Sequence, residues 1–352
     1  MGSRRLFDMQ EPESANRLRA ARVTIKEVAV AAGVSPSTVS HSFSGRRSIS
    51  PETRERVLAA AEELGYSADP HARSMRTGRS NMIGLVLRPR YAATGKMEAS
   101  ETFNRLAGSM ATECLRRGLG LVHVPDLIQS DHAGVPMDGC IIAHPYARDP
   151  MIDLLETRGI PIVCADPDPE RTHLSWTAAV DYEKGMREVL KTIPVTAGES
   201  VWLMPGSEDN SWNRYAHSTF VAWCSEQGVQ PQIHILNEGT TPAEAEQQIA
   251  QLLTLEDPPA AIVFSLSKLS QSVIKALSDS GLSVPKDVKI AALTDSLEAR
   301  TADPAVTALD LNHESLAAAA VELMVAQLDG CAAPGQAVVI EPSLHERSST
   351  AC

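Results

Sequence analysis

VTIKEVAVAAGVSPSTVSHSFSG, residues 23–45, decides how the beginning of the chain folds. Thr24 followed three residues later by Glu27 is the spacing of a capping box, and Val23 with Val28 is placed as a hydrophobic staple, so a first helix starts here. Ile25, Val28 and Ala29 form its apolar stripe. Gly33 supplies the backbone freedom of a tight turn. Ser35 then caps a second helix whose first position is Pro36, where a missing N–H costs nothing. Val34, Val39 and Phe43 are expected to pack back on the first helix. A third helix opens at Ser50-Pro51-Glu52, carries Val57, Ala61 and Leu64 on one face and stops at Gly65. The pattern predicts a helix-turn-helix over residues 23–66.

In such a module the second helix lies in the major groove with its first residues nearest the base edges, which nominates Pro36, Ser37 and His41. Hydroxyls and backbone amides at helix starts, from Thr24, Ser35, Thr38, Ser50 and Thr53, suit phosphate oxygens that position the protein without reading sequence. Arg46, Arg47 and Arg54 add charge, and Tyr66, Arg73 and Met75 complete the expected DNA-binding set. A three-helix packing unit without nucleic acid shares any one of these features; the concurrence of cap, glycine turn and second cap favours a DNA reader.

From about residue 23 to 350 the chain resembles the LacI/GalR family of bacterial transcription regulators. The resemblance rests on Val-Thr-Ile at 23–25, Ala-Gly-Val-Ser at 32–35, Thr-Val-Ser at 38–40 and Thr-Arg-x-x-Val at 53–57. His41 stands where the family usually has Arg, removing a bidentate guanine contact worth about 1–3 kcal/mol. The resemblance implies an all-α helix-turn-helix domain with a hinge helix, then an α/β periplasmic-binding-protein-like core of two lobes with doubly wound parallel sheets. It also implies a homodimeric repressor of metabolic genes on a near-palindromic double-stranded DNA operator, with no cofactor and no catalytic or metal site.

Composition agrees. The 352 residues, 43% hydrophobic, suffice for one small and one large unit. Residues 1–22 are polar with five arginines, read as a disordered arm, and no apolar run approaches the ~18 residues of a membrane span. Six cysteines without Cys-x-x-Cys spacing indicate neither a zinc site nor a disulfide framework, so a reduced cytoplasm is expected. The net charge of −12 is unevenly placed: residues 1–80 carry 13 Lys/Arg against 9 Asp/Glu, whereas the remainder carries 19 against 35. The basic end is the expected DNA end, and the acidic bulk keeps the rest off the phosphates.

Residues 67–80 allow a hinge helix of about two turns, starting at Asp69-Pro70 and stopping at Gly78; alone in water it is marginal. In the resemblance Met75 occupies the place of the family's apolar wedge, which enters the minor groove and kinks the duplex. Asp69 stands where the family often has Asn. The other reading of this stretch is a plain linker.

From residue 81 onward apolar runs of strand length alternate with helical patterns, at 82–87, 120–124, 139–143, 161–165, 200–204, 232–236, 260–264, 288–293 and 306–309. The resemblance implies three crossovers near Val180, Thr307 and Gly330. Lobe 1 is then residues 81–179 and 307–330, lobe 2 residues 180–306 and 331–347, and the core 81–347. Residues 125–136 show no helical period, so the usual crossover helix there is expected to be missing.

Effector residues in open sheets come from loops beyond the carboxyl ends of strands. The candidates are Arg88, Asp166, Trp212, Arg214, Ser267 and Asp295, with Tyr215 as the alternative to Arg214 and Trp176 to Trp212. Thr294 replaces an acidic residue, and Leu266-Ser267 an Asn-Asp pair, of the family pattern. If Arg88, Arg90 and Lys96 point inward beside Arg214, an anionic metabolite is favoured over a sugar; otherwise they are rim charge.

Three readings compete: a repressor controlled by a small-molecule effector; the same fold with a cleft that has lost sugar binding, controlled by a partner or by concentration; and an enzyme. The last lacks a Gly-x-Gly-x-x-Gly or Walker loop, a Gly-x-Ser-x-Gly elbow and a His-Glu-x-x-His motif.

Overall fold

The computed structural model describes residues 23–44, 49–66, 79–88, 101–125, 135–171 and 175–351. Two units meet in sequence at Ser80 and Asn81.

In the first unit, α1 (Ile25–Ala32) begins with a closed capping box: Thr24 N–H donates to Glu27 Oε2 at 2.6 Å and Glu27 N–H donates to Thr24 Oγ1 at 3.4 Å. It ends at Gly33, whose φ of 64° is a left-handed conformation that a residue without Cβ adopts freely. Ser35 Oγ accepts from Thr38 N–H at 3.1 Å and starts α2 (Pro36–Ser44). Ser50 does the same for α3 (Pro51–Glu63), accepting from Thr53 N–H at 3.3 Å. Val28, Ala29, Ala32, Val39, Val57, Ala60 and Ala61 form the small core. Phe43 and Leu64 depart from expectation, being 37% and 38% exposed. Phe43 tilts against Tyr66 at 5.8 Å, and Leu64 has passed into the cap of α3, so Ala60 takes its place against the other helices. Arg56 Nε donates to Ala32 O at 3.0 Å, tying α3 to the end of α1.

The second unit contains two six-stranded sheets. Its elements are β1 (Met82–Leu87), α4 (Glu101–Arg116), β2 (Gly120–His123), β3 (Gly139–Ala143), α5 (Pro150–Thr157), β4 (Ile162–Ala165), β5 (Thr177–Val180), α6 (Tyr182–Lys191), β6 (Ser200–Met204), α7 (Ser211–Gln227), β7 (Gln230–Ile233), α8 (Pro242–Leu255), β8 (Ala261–Phe264), α9 (Ser270–Asp279), β9 (Lys289–Ala292), α10 (Leu297–Thr301), β10 (Thr307–Asp310), α11 (His313–Leu328), β11 (Val338–Ile340) and β12 (Ser343–His345). Lobe 1 has the order β11-β5-β4-β3-β1-β2, all parallel. Lobe 2 has β12-β10-β9-β8-β6-β7, parallel except for β12.

Helices on both faces bury both sides of each sheet, which is why the strands read as continuous apolar runs. Ile141 and Ala143 of β3 face the core shared with α4 and α11, while Cys140 and Ile142 face α5. Val201 and Leu203 of β6 face α7; Trp202 and Met204 face α8 and α9.

The sheets correct the lobe boundaries. β10 pairs with β9, so 307–310 belongs to lobe 2; β11 pairs with β5, so 338–340 belongs to lobe 1. The first crossover lies at Asp181 as expected near Val180, but the second falls at Leu311-Asn312 and the third at Glu341-Pro342. The tail also reaches beyond 347. Ser349 is fully buried, its Oγ accepting from Thr307 N–H and donating to Ile290 O at 2.6 Å. The amino-terminal arm, most of the hinge and residues 126–134, where a crossover helix was expected to be missing, lie outside the described residues.

Candidate functional site

The expected DNA face begins with α2. Ser35 Oγ holds Ser37 Oγ at 2.7 Å and Thr38 Oγ1 at 2.8 Å, a cluster of three hydroxyls over the first turn. Pro36 and Ser37 are exposed, and Thr38 and His41 half-buried one turn apart. Thr24, Ser50 and Arg54 are exposed while Thr53 and Tyr66 are half-buried. Helix starts of this kind present N–H groups and hydroxyls that suit phosphate oxygens. Arg46, Arg47, Arg73 and Met75 lie outside the described residues.

In both lobes the chain goes from its first strand to one side of the sheet and then to the other, which makes β1/β3 and β6/β8 the switch points. Ligands bind open sheets beyond the carboxyl ends of strands at such points. His144 follows β3, Gly206 follows β6 and Ser265 follows β8, and all three line one cavity of about 100 Å³ between the lobes.

Two of the residues that line it, His144 and Tyr182, are bonded to Asp166 behind them. His144 Nδ1 lies 2.5 Å from Asp166 Oδ2, and the Tyr182 hydroxyl donates to the same oxygen through a short bond. Val180 N–H donates to Asp166 Oδ1 at 3.1 Å. Burial, then the Asp166 carboxylate, pushes the Tyr182 hydroxyl well above its ordinary pKa, so it remains a donor. His144 and Asp166 have φ of 54° and 75°, strained for residues with a Cβ and concentrated where the cleft is built. Aromatic wall is supplied by Trp212, set edge-on to Tyr182 at 4.8 Å, and by Phe103, edge-on to His144 at 5.4 Å.

On the lobe 2 side Glu238 is buried against Gly206 and accepts from Ser207 Oγ (2.6 Å), Glu208 N–H (2.9 Å) and Asn213 Nδ2 (3.2 Å). Lys268 Nζ donates to Glu238 O at 2.8 Å. Thr294 Oγ1 meets Ser267 Oγ at 2.9 Å, so the positions that depart from the family pattern still line the cavity, with neutral hydroxyls.

Of the expected effector residues, the structure brings Trp212 and Ser267 to the cavity. The other four do not line it. Arg88 is 1% exposed and bonded twice to Asp149 (3.0 and 2.8 Å), beneath Tyr146, because a buried guanidinium needs a full-time counter-ion. Asp166 stands behind His144 and Tyr182 as their anchor. Arg214 turns outward to Asp209 (2.6 Å) and Glu170 (2.9 Å), on a separate groove that also contains Tyr215. Asp295 is held by Arg347 (2.9 and 3.0 Å) and Arg300 (3.1 Å), fastening the tail to lobe 2. Trp176 borders a different cavity beside Ile162. Arg90 and Lys96 lie outside the described residues.

His144, Tyr182, Glu238 and Lys268 escaped the sequence reading. The strand-end rule points to each once β3, β5, β7 and β8 are placed, because each residue follows one of those strands closely.

Seams join the lobes on both sides of the cavity. Glu101 of α4 accepts from Arg300 at 2.6 Å and from Leu297 N–H, both of α10. Opposite, Ala147 N–H donates to Asp209 O at 2.8 Å and Ser211 Oγ to Pro167 O at 2.7 Å.

Comparison with known proteins places these features. The profile described as bacterial regulatory proteins, lacI family, matches residues 24–69, and that of the periplasmic binding protein-like domain matches 184–350; together they span more than half the chain. The HTH-type transcriptional repressor PurR of Erwinia tasmaniensis is 26% identical over 338 residues, covering 93% of this chain and 97% of the relative. PurR of Klebsiella pneumoniae subsp. pneumoniae is 25% identical with the same coverage. The structure of the lac repressor dimer bound to operator and the anti-inducer ONPF superposes with a TM-score of 0.78 at 20% identity, covering 94% of this chain and all of that one. A complex of the regulator CelR with cellobiose gives 0.65 at 22%, covering 93% of this chain and all of that one. With an amino-terminal DNA-binding module and a two-lobed core of this order, the chain belongs to the lacI family of bacterial regulatory proteins.

Proposed function

We propose that the chain is a sequence-specific transcription repressor that binds a near-palindromic operator as a homodimer and is released or recruited by a small molecule in the inter-lobe cleft. It is a regulator rather than an enzyme. The observation that carries this reading is the run of caps at Thr24, Ser35 and Ser50, which builds the helix-turn-helix and leaves Pro36, Ser37 and His41 at the start and along α2. Pro36, Ser37 and His41 face bases; Thr24, Ser35, Thr38, Ser50, Thr53, Arg54, Tyr66 and Arg73 hold the backbone; Met75 wedges the central step. The dimeric relative on operator DNA and the effector-bearing relatives support the same assignment. A ligand that prefers one lobe arrangement shifts the operator-competent population by its differential affinity. Cytoplasmic residence follows from this role, and among the described residues no helix is long and apolar enough to cross a membrane.

Selection of duplexes from a random pool by the full-length chain tests the reading. Enrichment of a near-palindrome with half-sites about one helical turn apart is expected. Absence of any enriched site at low ionic strength overturns it.

A further inference from the structure

We propose that Ser37 meets the operator through its lone pairs alone and so takes a hydrogen-bond donor on the base edge, the exocyclic amino group of adenine or cytosine; this rests on the reading of α2 as the recognition helix. Counting protons decides it. Ser35 Oγ touches three groups: Ser37 Oγ at 2.7 Å, Thr38 Oγ1 at 2.8 Å and the Thr38 N–H at 3.1 Å. Among the described residues these are its full set of partners, and Pro36, having no N–H, does not compete from the first position of the helix. A hydroxyl has one proton to give and two lone pairs with which to receive. The Thr38 amide fills one lone pair. Were Ser37 and Thr38 both to donate, Ser35 would need a third lone pair; were both to accept, it would need a second proton. One of them therefore donates to Ser35 and the other accepts from it, which leaves a single outward proton between the two.

The duplex selects which residue keeps that proton. Thr38 is among the residues assigned to the DNA backbone, and phosphate oxygens have no proton to offer, so a hydroxyl that holds one has to donate. The relay then runs in one direction: Ser37 donates to Ser35, Ser35 to Thr38, and Thr38 to phosphate. Ser35 is spent within it, and what it offers the backbone is its main-chain N–H. Ser37, exposed at the second position of α2, is left as an acceptor. In the major groove guanine and thymine present acceptors alone, whereas adenine and cytosine each carry an amino donor. The hydroxyl cluster thus orients the Ser37 contact toward one base of the pair rather than its complement.

Base analogues read the direction of this bond on a duplex selected from a random pool by the full-length chain. The base pair in question is the one whose discrimination falls in Ser37→Ala. Deleting the amino group there, with purine for adenine or pyrimidinone for cytosine, is expected to weaken the unaltered chain about fivefold per half-site, as loss of one hydrogen bond does, and to cost Ser37→Ala nothing further. Deleting an acceptor instead, with a deazapurine or with a guanine or thymine analogue lacking the major-groove oxygen, is expected to cost both chains equally. Ser35→Gly keeps a workable cap while removing the relay. Ser37 then recovers its proton, so the amino preference is expected to relax; a purely structural cap would lower affinity and leave base preference as it was. An amino-group penalty equal in both chains, a larger acceptor penalty in the unaltered chain, or a Ser37→Ala selection identical to the unaltered one overturns the proposal while leaving the recognition helix in place. Failure to enrich any duplex overturns the DNA-binding reading itself and this proposal with it.

Discussion

His313 is 3% exposed and neither ring nitrogen has a hydrogen-bond partner. Burial first, then the charges of His144 and Arg105, lower its pKa from 6.5 to about 4. Below pH 6.5 the unfolded chain takes up a proton that the folded chain refuses until about pH 4. Stability from this group is therefore whole above 6.5 and falls by about 1.4 kcal/mol per pH unit through that window. His313→Leu is expected to flatten the acid limb of a urea-unfolding series; a variant with the unchanged slope counts against the assignment. Gly206 poses the opposite problem. A Cβ there comes 2.1 Å from Glu238 Oε1, so Gly206→Ala is expected to cost about 1–3 kcal/mol and to lower cleft affinity by displacing that carboxylate. Unaltered ligand titrations would show that Glu238 yields without consequence. At this scale the sequence was least informative. Arg88 is neutralised by Asp149, 61 positions away, and Asp295 by Arg347, 52 away, and no spacing rule announces partners so remote. Ser267 was legible because it lies just past the end of β8, whereas Trp212 stands further from its strand, in the first turn of α7.

Elements were far more legible, since their signals are local. Thr24, Ser35 and Ser50 each cap the helix assigned to them, and β1, β3 and β6 have the expected bounds. Ser35→Ala is expected to destabilise the first unit by about 1 kcal/mol and to weaken operator binding, through fraying of the turn that carries Pro36 and Ser37. Far-ultraviolet circular dichroism during melting, read beside gel mobility, checks both effects. The errors have physical causes. β7 runs through Gln230-Pro231-Gln232, and proline argues against a strand unless it lies at a sheet edge, where β7 lies. Leu236, expected within that strand, instead forms a single bridge, opposite Gly206. β5 and β11 are short strands of four and three residues, too brief for a two-residue period to stand out, and β11 is defined by its pairing with β5.

For the whole molecule, the doubly wound order was legible from alternating runs, but the crossovers were not, because lobe membership is decided by pairing. The tail closes lobe 2 through Asp295. Although burial pushes its carboxyl up, the bonds and charges of Arg347 and then Arg300 hold it below the ordinary range. The stabilisation is thus present above the unfolded carboxylate pKa and lost as pH falls through the lowered one. Asp295→Asn is expected to destabilise the second unit by about 3 kcal/mol at neutral pH, the difference shrinking in acid, as measured by denaturant midpoints. The seams flanking the cavity carry a kinetic consequence. Entry is predicted to wait for one of them to part, and so to be gated rather than diffusion-limited. Glu101 and Arg300 are about one-third exposed, which makes their seam the one that dissolved salt loosens. Stopped-flow traces should then show arrival hastened in Glu101→Gln and, for the unaltered chain, by added electrolyte; if the seam were idle, neither change would alter the clock.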